Sequence, residues 1–286
     1  MNDKRIRSID IICPLYNAEE YILKLHESFL NQENVFINEI KYILTDSKDT
    51  TEDLLIKNKM NYKKILKNEF SHSLVRENAV FESSAEIIVF VTQDIVIERK
   101  DWLENLTKDL GEEIIQTYSR QLTKYDGIEK YTRLYNYPSN SKVVSKDDIH
   151  KLGLKTFFSS DASAAILRAK FVELNGYDQK DLPISEDMYF TYKVIMNNYK
   201  VKYCADSVVI HSHNFTLKEL YERYKLTGQF MKQNQDISQY STTKAGGGLA
   251  IFILRGIVTD MNIKAIVRYP FDMAARLIGM KVGYRK

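Results

Sequence analysis

The sequence predicts an α/β fold: a Rossmann-like, mostly parallel central sheet flanked by helices, followed by a helical basic extension. Three observations carry this expectation. From Ser8 to Asp94 short apolar runs alternate with amphipathic runs at helical spacing, a repeated β-α-β pattern. The apolar runs end in polar residues, as strands do when they open onto a ligand crevice. The segment from Gly246 to Lys286 changes character and mixes apolar with Lys/Arg-rich helical pieces. The chain therefore divides into a main domain, residues 1–245, and a C-terminal extension, residues 246–286.

Each element follows from local chemistry. "SIDIICPLYN" is an apolar strand running into a loop, and "AEEYILKLHESFL" places Tyr21, Ile22, Leu25 and Phe29 on one helical face. Asn17 reads as the N-cap of that helix, with Glu19 and Glu20 in its first turn. "EIKYILTDS" is a second strand, "DTTEDLLIKN" a helix opened by Thr50 or Thr51, and "YKKILKN" a short third strand. "HSLVRENAVFESS" is a helix and "AEIIVFVTQD" a fourth strand. "EEIIQTYSRQ" is a strand, and residues 121–157 are polar, Tyr-rich and read as a long ordered excursion. "SSDASAAILRAKFVELNGY" is a strand and a short helix stopped by Gly176. "SEDMYFTYKVIMNNY" is a helix, "KVKYCADSVVIHSH" a strand ending in two histidines, and Thr216-x-x-Glu219 a capping box opening another helix. Gly246–Gly248 reads as a hinge before the extension.

The bulk numbers exclude several classes. With 286 residues, 44% of them hydrophobic and 28% charged, the chain is globular rather than disordered. Cys13 and Cys204 sit in apolar runs and read as buried thiols of a reducing compartment. No Cys/His spacing suggests structural zinc. The N-terminal residues lead into a strand with no apolar stretch long enough for a signal peptide, so a cytoplasmic location is expected. The net charge of +3 hides an asymmetry. Lys244, Arg255, Lys264, Arg268, Arg276, Lys281, Arg285 and Lys286 face only Asp260 and Asp272, so a mildly acidic body carries a basic tail. That pattern argues against nucleic acid as partner and towards a local anionic surface. The run Leu249–Leu254 is too short to span a bilayer, whereas apolar-plus-basic helices can lie in its interface.

The chemistry-bearing residues cluster at predicted element ends. Tyr16 and Asn17, Asp46 and Ser47, and Gln93 and Asp94 should converge on one crevice. Neither GxGxxG nor GxxxxGK[ST] occurs, which argues against a dinucleotide or P-loop phosphate site. A divalent cation carrying a diphosphate suits one carboxylate, an imidazole and phosphate oxygens, and Asp94 is placed to be that carboxylate. An Asp after a strand also commonly caps a turn. In "ISEDMYF", Glu186 and Asp187 are dipole partners of a helix start or supply a general base. Adjacent side chains diverge, so one can face the cleft while the other is held behind it. His211 and His213 share one strand face and suit a metal or a diphosphate.

These strings together resemble family 2 glycosyltransferases of the GT-A fold, in particular bacterial rhamnosyltransferases of cell-surface polysaccharide assembly. The resemblance runs from Ile9 to Gly228 and rests on "CPLYNAEEYI", "FSHSLVRENAV", "FVTQDIVI", "YSRQL", "RLYNYPSNS", "LKTFFSSDASAAILRAKFVELNGYD", "SEDMYFTYKVI" and "VVIHSHNFTLKELYERY". It implies transfer of a sugar with inversion, from dTDP-β-L-rhamnose to a lipid-linked oligosaccharide acceptor. Pro14, Tyr16 and Asn17 would border the base and ribose, Asp46 would hold them, and Arg76 and Gln93 would lie near the donor. Asp94 would bind Mg²⁺ or Mn²⁺ with His211 or His213, which would also meet the diphosphate. Asp187 would be the catalytic base, with Glu186 beside it. The enzyme would sit peripherally at the inner face of the plasma membrane, on anionic lipid, with a homo-oligomer left open. Two departures stand out. Thr92 replaces the first carboxylate of the family's Asp-x-Asp motif, and Ser73 follows His72 where this branch often has Gly. Competing readings are the same fold with a UDP-hexose or UDP-N-acetylhexosamine donor, and a catalytically silent sugar-nucleotide-binding scaffold.

Overall fold

A computed structural model describes residues 6–241 and 243–285. The expected run-in without a targeting segment falls partly on residues 1–5, outside the described residues. The first half is the alternation read from the sequence: β1 (Ser8–Leu15), α1 (Ile22–Leu30), β2 (Phe36–Thr45), α2 (Thr51–Lys57), β3 (Tyr62–Ile65), α3 (His72–Glu82) and β4 (Ile87–Val91). The second half is less regular: β5 (Ile95–Val96), α4 (Trp102–Thr107), β6 (Ile114–Leu122), α5 (Ile128–Asn136), β7 (Lys142–Val144), α6 (Ile149–Leu152), β8 (Ser163–Leu167), α7 (Arg168–Glu173), α8 (Glu186–Met196) and β9 (Lys200–His211). Four helices close the chain: α9 (Leu217–Gln233), α10 (Gln235–Ser238), α11 (Thr243–Thr259) and α12 (Ile263–Arg285).

One sheet has the order β3-β2-β1-β4-β8-β6-β9-β5, with β7 pairing β9. Parallel pairing holds in the β3-β2-β1-β4 block and recurs between β6 and β9. The sheet as a whole is mixed, because β8 runs antiparallel between β4 and β6. The β-α-β period that forces parallel strands stops at β4, and later connections are free to reverse direction. Two reversals leave β6 and β9 running the same way as β4. The ends of β1, β2, β4, β6 and β9 therefore share one edge.

Alternation along the strands builds two cores. Ile9, Ile11 and Cys13 of β1 and Ile87, Val89 and Val91 of β4 pack against Ile22, Leu25 and Phe29 of α1 and against Trp102. Ile12, Ile88 and Phe90 point the other way, onto Val80 of α3 and Phe190 and Val194 of α8. Burying such a side chain stabilises the fold by about 1.5–3 kcal/mol. Trp102 can be fully buried because its Nε1 donates to Ser119 Oγ and Ser163 Oγ, at 3.1 and 3.2 Å.

Two local readings change. Asn17 does not cap α1, whose N-cap is Tyr21. It adopts φ +48°, and its Oδ1 accepts from Lys48 N, so it ties the β1 loop to the β2 loop. Glu19 likewise accepts from Thr50 N and Oγ1 at the start of α2 instead of lying in α1's first turn. Gly246–Gly248 is not a hinge, because α11 runs through it. Contacts with α5 offset the low helix propensity of glycine: Ile253 and Ile257 are buried with Ile128 and Tyr131. Tyr131 and Lys130 also bond Asp260, at 2.8 and 2.9 Å.

Candidate functional site

The shared edge brings the predicted residues together from distant parts of the chain. β5 pairs with the end of β9, Ile95 against His211, which sets Asp94 beside the two histidines. Asp94 Oδ2 lies 3.5 Å from His211 Nε2 and 3.7 Å from His213 Nδ1. Ligand atoms of the three residues all fall within 4.8 Å of one another. The imidazoles meet edge to face at 4.4 Å, and Phe215 stacks on His213 at 4.8 Å. Burial opposes ionisation of Asp94, but the histidines overcome it and hold the carboxyl far below its usual range. Burial and the neighbouring His211 push His213 down to about 4, which keeps it neutral and able to ligate.

The outer contacts favour a cation. Arg133 donates to Gln121 Oε1, which fixes that atom as oxygen. His211 Nδ1 lies 2.9 Å from the same oxygen and must donate to it. A neutral His211 then turns the lone pair of Nε2 towards Asp94, an arrangement that a proton or a divalent cation between them relieves. An oxygen and two nitrogens suit Mn²⁺ or a similar ion, and Gln121 is the kind of partner that orients a ligating histidine. Glu129 accepts from His213 N at 2.8 Å and pairs with Arg133 at 2.9 Å, so α5 clamps the loop that carries His213.

Glu186 and Asp187 diverge. Ser185 immediately before them holds the left-handed φ of +64°, a costly conformation for serine that turns the helix start. Glu186 points inward to Arg76 Nη1 at 3.3 Å. Asp187 accepts from its neighbour Met188 N and lines a cavity of about 450 Å³ with His211 and His213. Burial, then Glu186 and Asp161, raise the Asp187 carboxyl well above the usual range. Asp161, fully enclosed and bonded by Tyr177 Oη at 2.7 Å, is itself raised to about 6, mainly by burial. The site thus has one carboxylate held ionised and another that gives up its proton reluctantly.

The remaining predicted residues surround this centre. Tyr16 and Asn17 are exposed, with Pro14 partly so, at the β1 end. Gln93 donates to Tyr16 O and accepts from Tyr16 N, at 2.9 and 2.7 Å, so its amide fixes the Tyr16 backbone. Asp46 is exposed beside Lys64 at 3.7 Å. Arg76 is only 2% exposed and donates to His72 O as well as Glu186, which makes it a buried support for the Glu186–Asp187 turn. Gln121, Glu129, Arg133 and Asp161 carried no sequence assignment. Gln121 lies within "YSRQL", Arg133 within "RLYNYPSNS" and Asp161 within "FFSSDAS", where only the shared strings marked them out, and Glu129 lies outside those strings.

The wall opposite the strands comes from the C-terminal helices, with Arg223 and Tyr224 of α9 and Lys264, Arg268, Asp272 and Arg276 of α12. Gly279 and Gly283 of α12 sit against the α9 backbone: a Cβ at Gly283 would lie 1.9 Å from Lys225 O. The closeness of this crossing brings α12 to the cavity.

Comparison with known proteins identifies the family and the fold. Residues 10–174 match the family model described as glycosyl transferase family 2. The chain is 36% identical over 228 residues, 78% of its length and 72% of the relative's, to the O-antigen chain rhamnosyltransferase RfbN of Salmonella typhimurium. The fold is that of the mannosyltransferase PcManGT from Pyrobaculum calidifontis, solved with GDP-Man and Mn²⁺ (TM-score 0.57, 16% identity, 95% of this chain and 74% of that one). It is likewise that of TarS from S. aureus, solved with UDP-GlcNAc (TM-score 0.55, 16% identity, 97% of this chain and 89% of that one).

Proposed function

Because the chain belongs to glycosyl transferase family 2, we propose that it is an inverting rhamnosyltransferase of surface-polysaccharide synthesis. It moves L-rhamnose from dTDP-β-L-rhamnose to a hydroxyl of a lipid-linked oligosaccharide. The observation that carries the reading is the 36% identity to an O-antigen rhamnosyltransferase across 78% of the chain. The placement of Asp94, His211, His213 and Asp187 on one edge supports it.

In this mechanism the donor's base and ribose lie along the β1 and β2 loops, bordered by Pro14, Tyr16, Asn17 and Asp46. Its diphosphate reaches the Asp94–His211–His213 cluster. Those three residues would hold Mg²⁺ or Mn²⁺, which when bound supplies charge neutralisation at the diphosphate. Asp187 takes the proton of the acceptor hydroxyl, and that oxygen attacks the anomeric carbon from the face opposite the leaving dTDP. Arg76 and Glu186 keep Asp187 in place. With a single carboxylate at the Asp94 position, the two histidines make up the ligand set that Thr92 leaves short.

Donors such as UDP-hexoses or UDP-N-acetylhexosamines remain the second reading, and the UDP-GlcNAc bound by the similarly folded TarS favours the latter. A thermal-shift panel of dTDP- and UDP-sugars with and without Mn²⁺ separates the two. Selective stabilisation by dTDP-rhamnose is the expected result, and stabilisation by UDP-sugars alone would overturn the donor assignment.

The outer side of α11 and α12 exposes Ile251, Leu254, Val258, Ile263, Val267 and Phe271 among Arg255 and Lys281. No helix among the described residues is long and apolar enough to cross a membrane. This mixed face suits the interfacial layer of an anionic bilayer, where a lipid-linked acceptor resides.

A further inference from the structure

Most cations of the cavity are already matched. Arg133 is bound by Glu129 and Gln121, and Arg268 and Arg276 share the buried carboxylate of Asp272 at 3.7 and 2.8 Å. Arg223 and Lys264 also line the cavity, and among the described residues neither side chain has a hydrogen bond or ion pair. Of these two, Arg223 is placed against the reacting groups. Its guanidinium lies 5.7 Å from the Phe215 ring, the ring that stacks on His213 at 4.8 Å. Its charge is among those that lower the proton affinity of His72, Asp187 and His213. An exposed guanidinium carried by an aromatic ring beside a candidate metal ligand is ready to take an anion, and its planar fork matches phosphate oxygens.

We propose that Arg223 is a catalytic residue of the transfer: it binds the donor's diphosphate and neutralises charge on the departing oxygen. This assignment rests on the glycosyl-transfer reading above. As the acceptor hydroxyl gives its proton to Asp187, its oxygen bonds to the anomeric carbon. The bond from that carbon to the β-phosphate oxygen breaks, and the electron pair stays on the phosphate. Arg223 donates hydrogen bonds to that oxygen as the pair arrives, so its contribution is larger in the transition state than in the bound donor.

The test compares full-length wild type, Arg223→Ala and Arg223→Lys in the presence of Mn²⁺. Affinities for dTDP and dTMP are measured by calorimetry, with UDP and UMP in parallel, alongside steady-state transfer. The alanine variant is expected to bind the monophosphate as wild type does and to bind the diphosphate at least about tenfold more weakly. Its kcat should fall by about 10²-fold, the cost of removing one such donor, with partial recovery in the lysine variant. Equal losses for mono- and diphosphate, or unchanged diphosphate affinity and turnover, would overturn the assignment. Wild type that binds none of the four nucleotides would overturn the transfer reading itself.

Discussion

Asp187 shares its surroundings with two more carboxylates, Glu186 and Asp161, and with the single buried guanidinium of Arg76. Their repulsion, added to burial, makes its proton hard to remove. A base must be ionised to act, so transfer should fall with decreasing pH through a value above the ordinary carboxylate range. Asp161→Asn removes one negative neighbour while leaving an acceptor for Tyr177 Oη. The acid limb of the pH–kcat/KM profile should then move to lower pH, and an unmoved limb would mean that Asp161 does not act on the base. Asp187→Asn is expected to retain donor binding while kcat drops by about 10²–10⁴-fold, as measured by calorimetry and a product assay. Near-normal turnover would reject Asp187 as the base. At this scale Asp94, Asp187 and the two histidines were legible because each ends or begins an element. The clamp residues Gln121, Glu129 and Arg133 were not, because their roles arise from packing between elements distant in sequence.

Among the elements, α5 and α11 departed most from expectation. The tyrosines of "KYTRLYNY" blur the apolar periodicity, so α5 merged into a polar excursion. The glycines of α11 read locally as flexible, whereas packing of α11 on α5, with Tyr135 against Gly248 and Tyr131 against Gly256, holds this stretch in a helix. The strands β1, β2 and β4 were legible because each is rich in β-branched or aromatic residues and runs into polar ones. The crossing of α9 and α12 admits no side chain at Gly283. Gly283→Val should force the helices apart and lower the melting temperature, with a cost of about 1–3 kcal/mol by analogy with overpacked cores. Arg268 and Arg276 would be displaced with α12, so donor or acceptor affinity should fall as well. A variant that melts and turns over like wild type would show that the crossing tolerates a wider spacing.

At the level of the whole molecule, the two sides of α12 face different ends. One side closes the cavity through Arg268 and Arg276, and the other presents Val267 and Phe271 to the surroundings. Truncating the extension would strip the cavity wall together with the outer face. Point substitutions separate them: Val267→Glu with Phe271→Glu should abolish sedimentation with anionic vesicles yet leave turnover of a water-soluble acceptor unchanged. Undiminished vesicle binding would remove this face from the membrane assignment. The basic, apolar composition of residues 246–286 and its helical character were legible in the sequence, and its contact with a membrane surface stays a proposal. Its contribution to the cavity was not legible, because composition carries no record of which face packs inward.

The pairing of Ile95 with His211 has a consequence for synthesis on the ribosome. The β3-β2-β1-β4 block precedes β9 in the chain, and domains assemble from the N-terminal side as they emerge. A nascent chain can pair these four strands while Asp94 still lacks both histidines, and Val209 of β9 joins their core later. The candidate metal cluster therefore comes together only after β9 and the loop after it have joined the sheet.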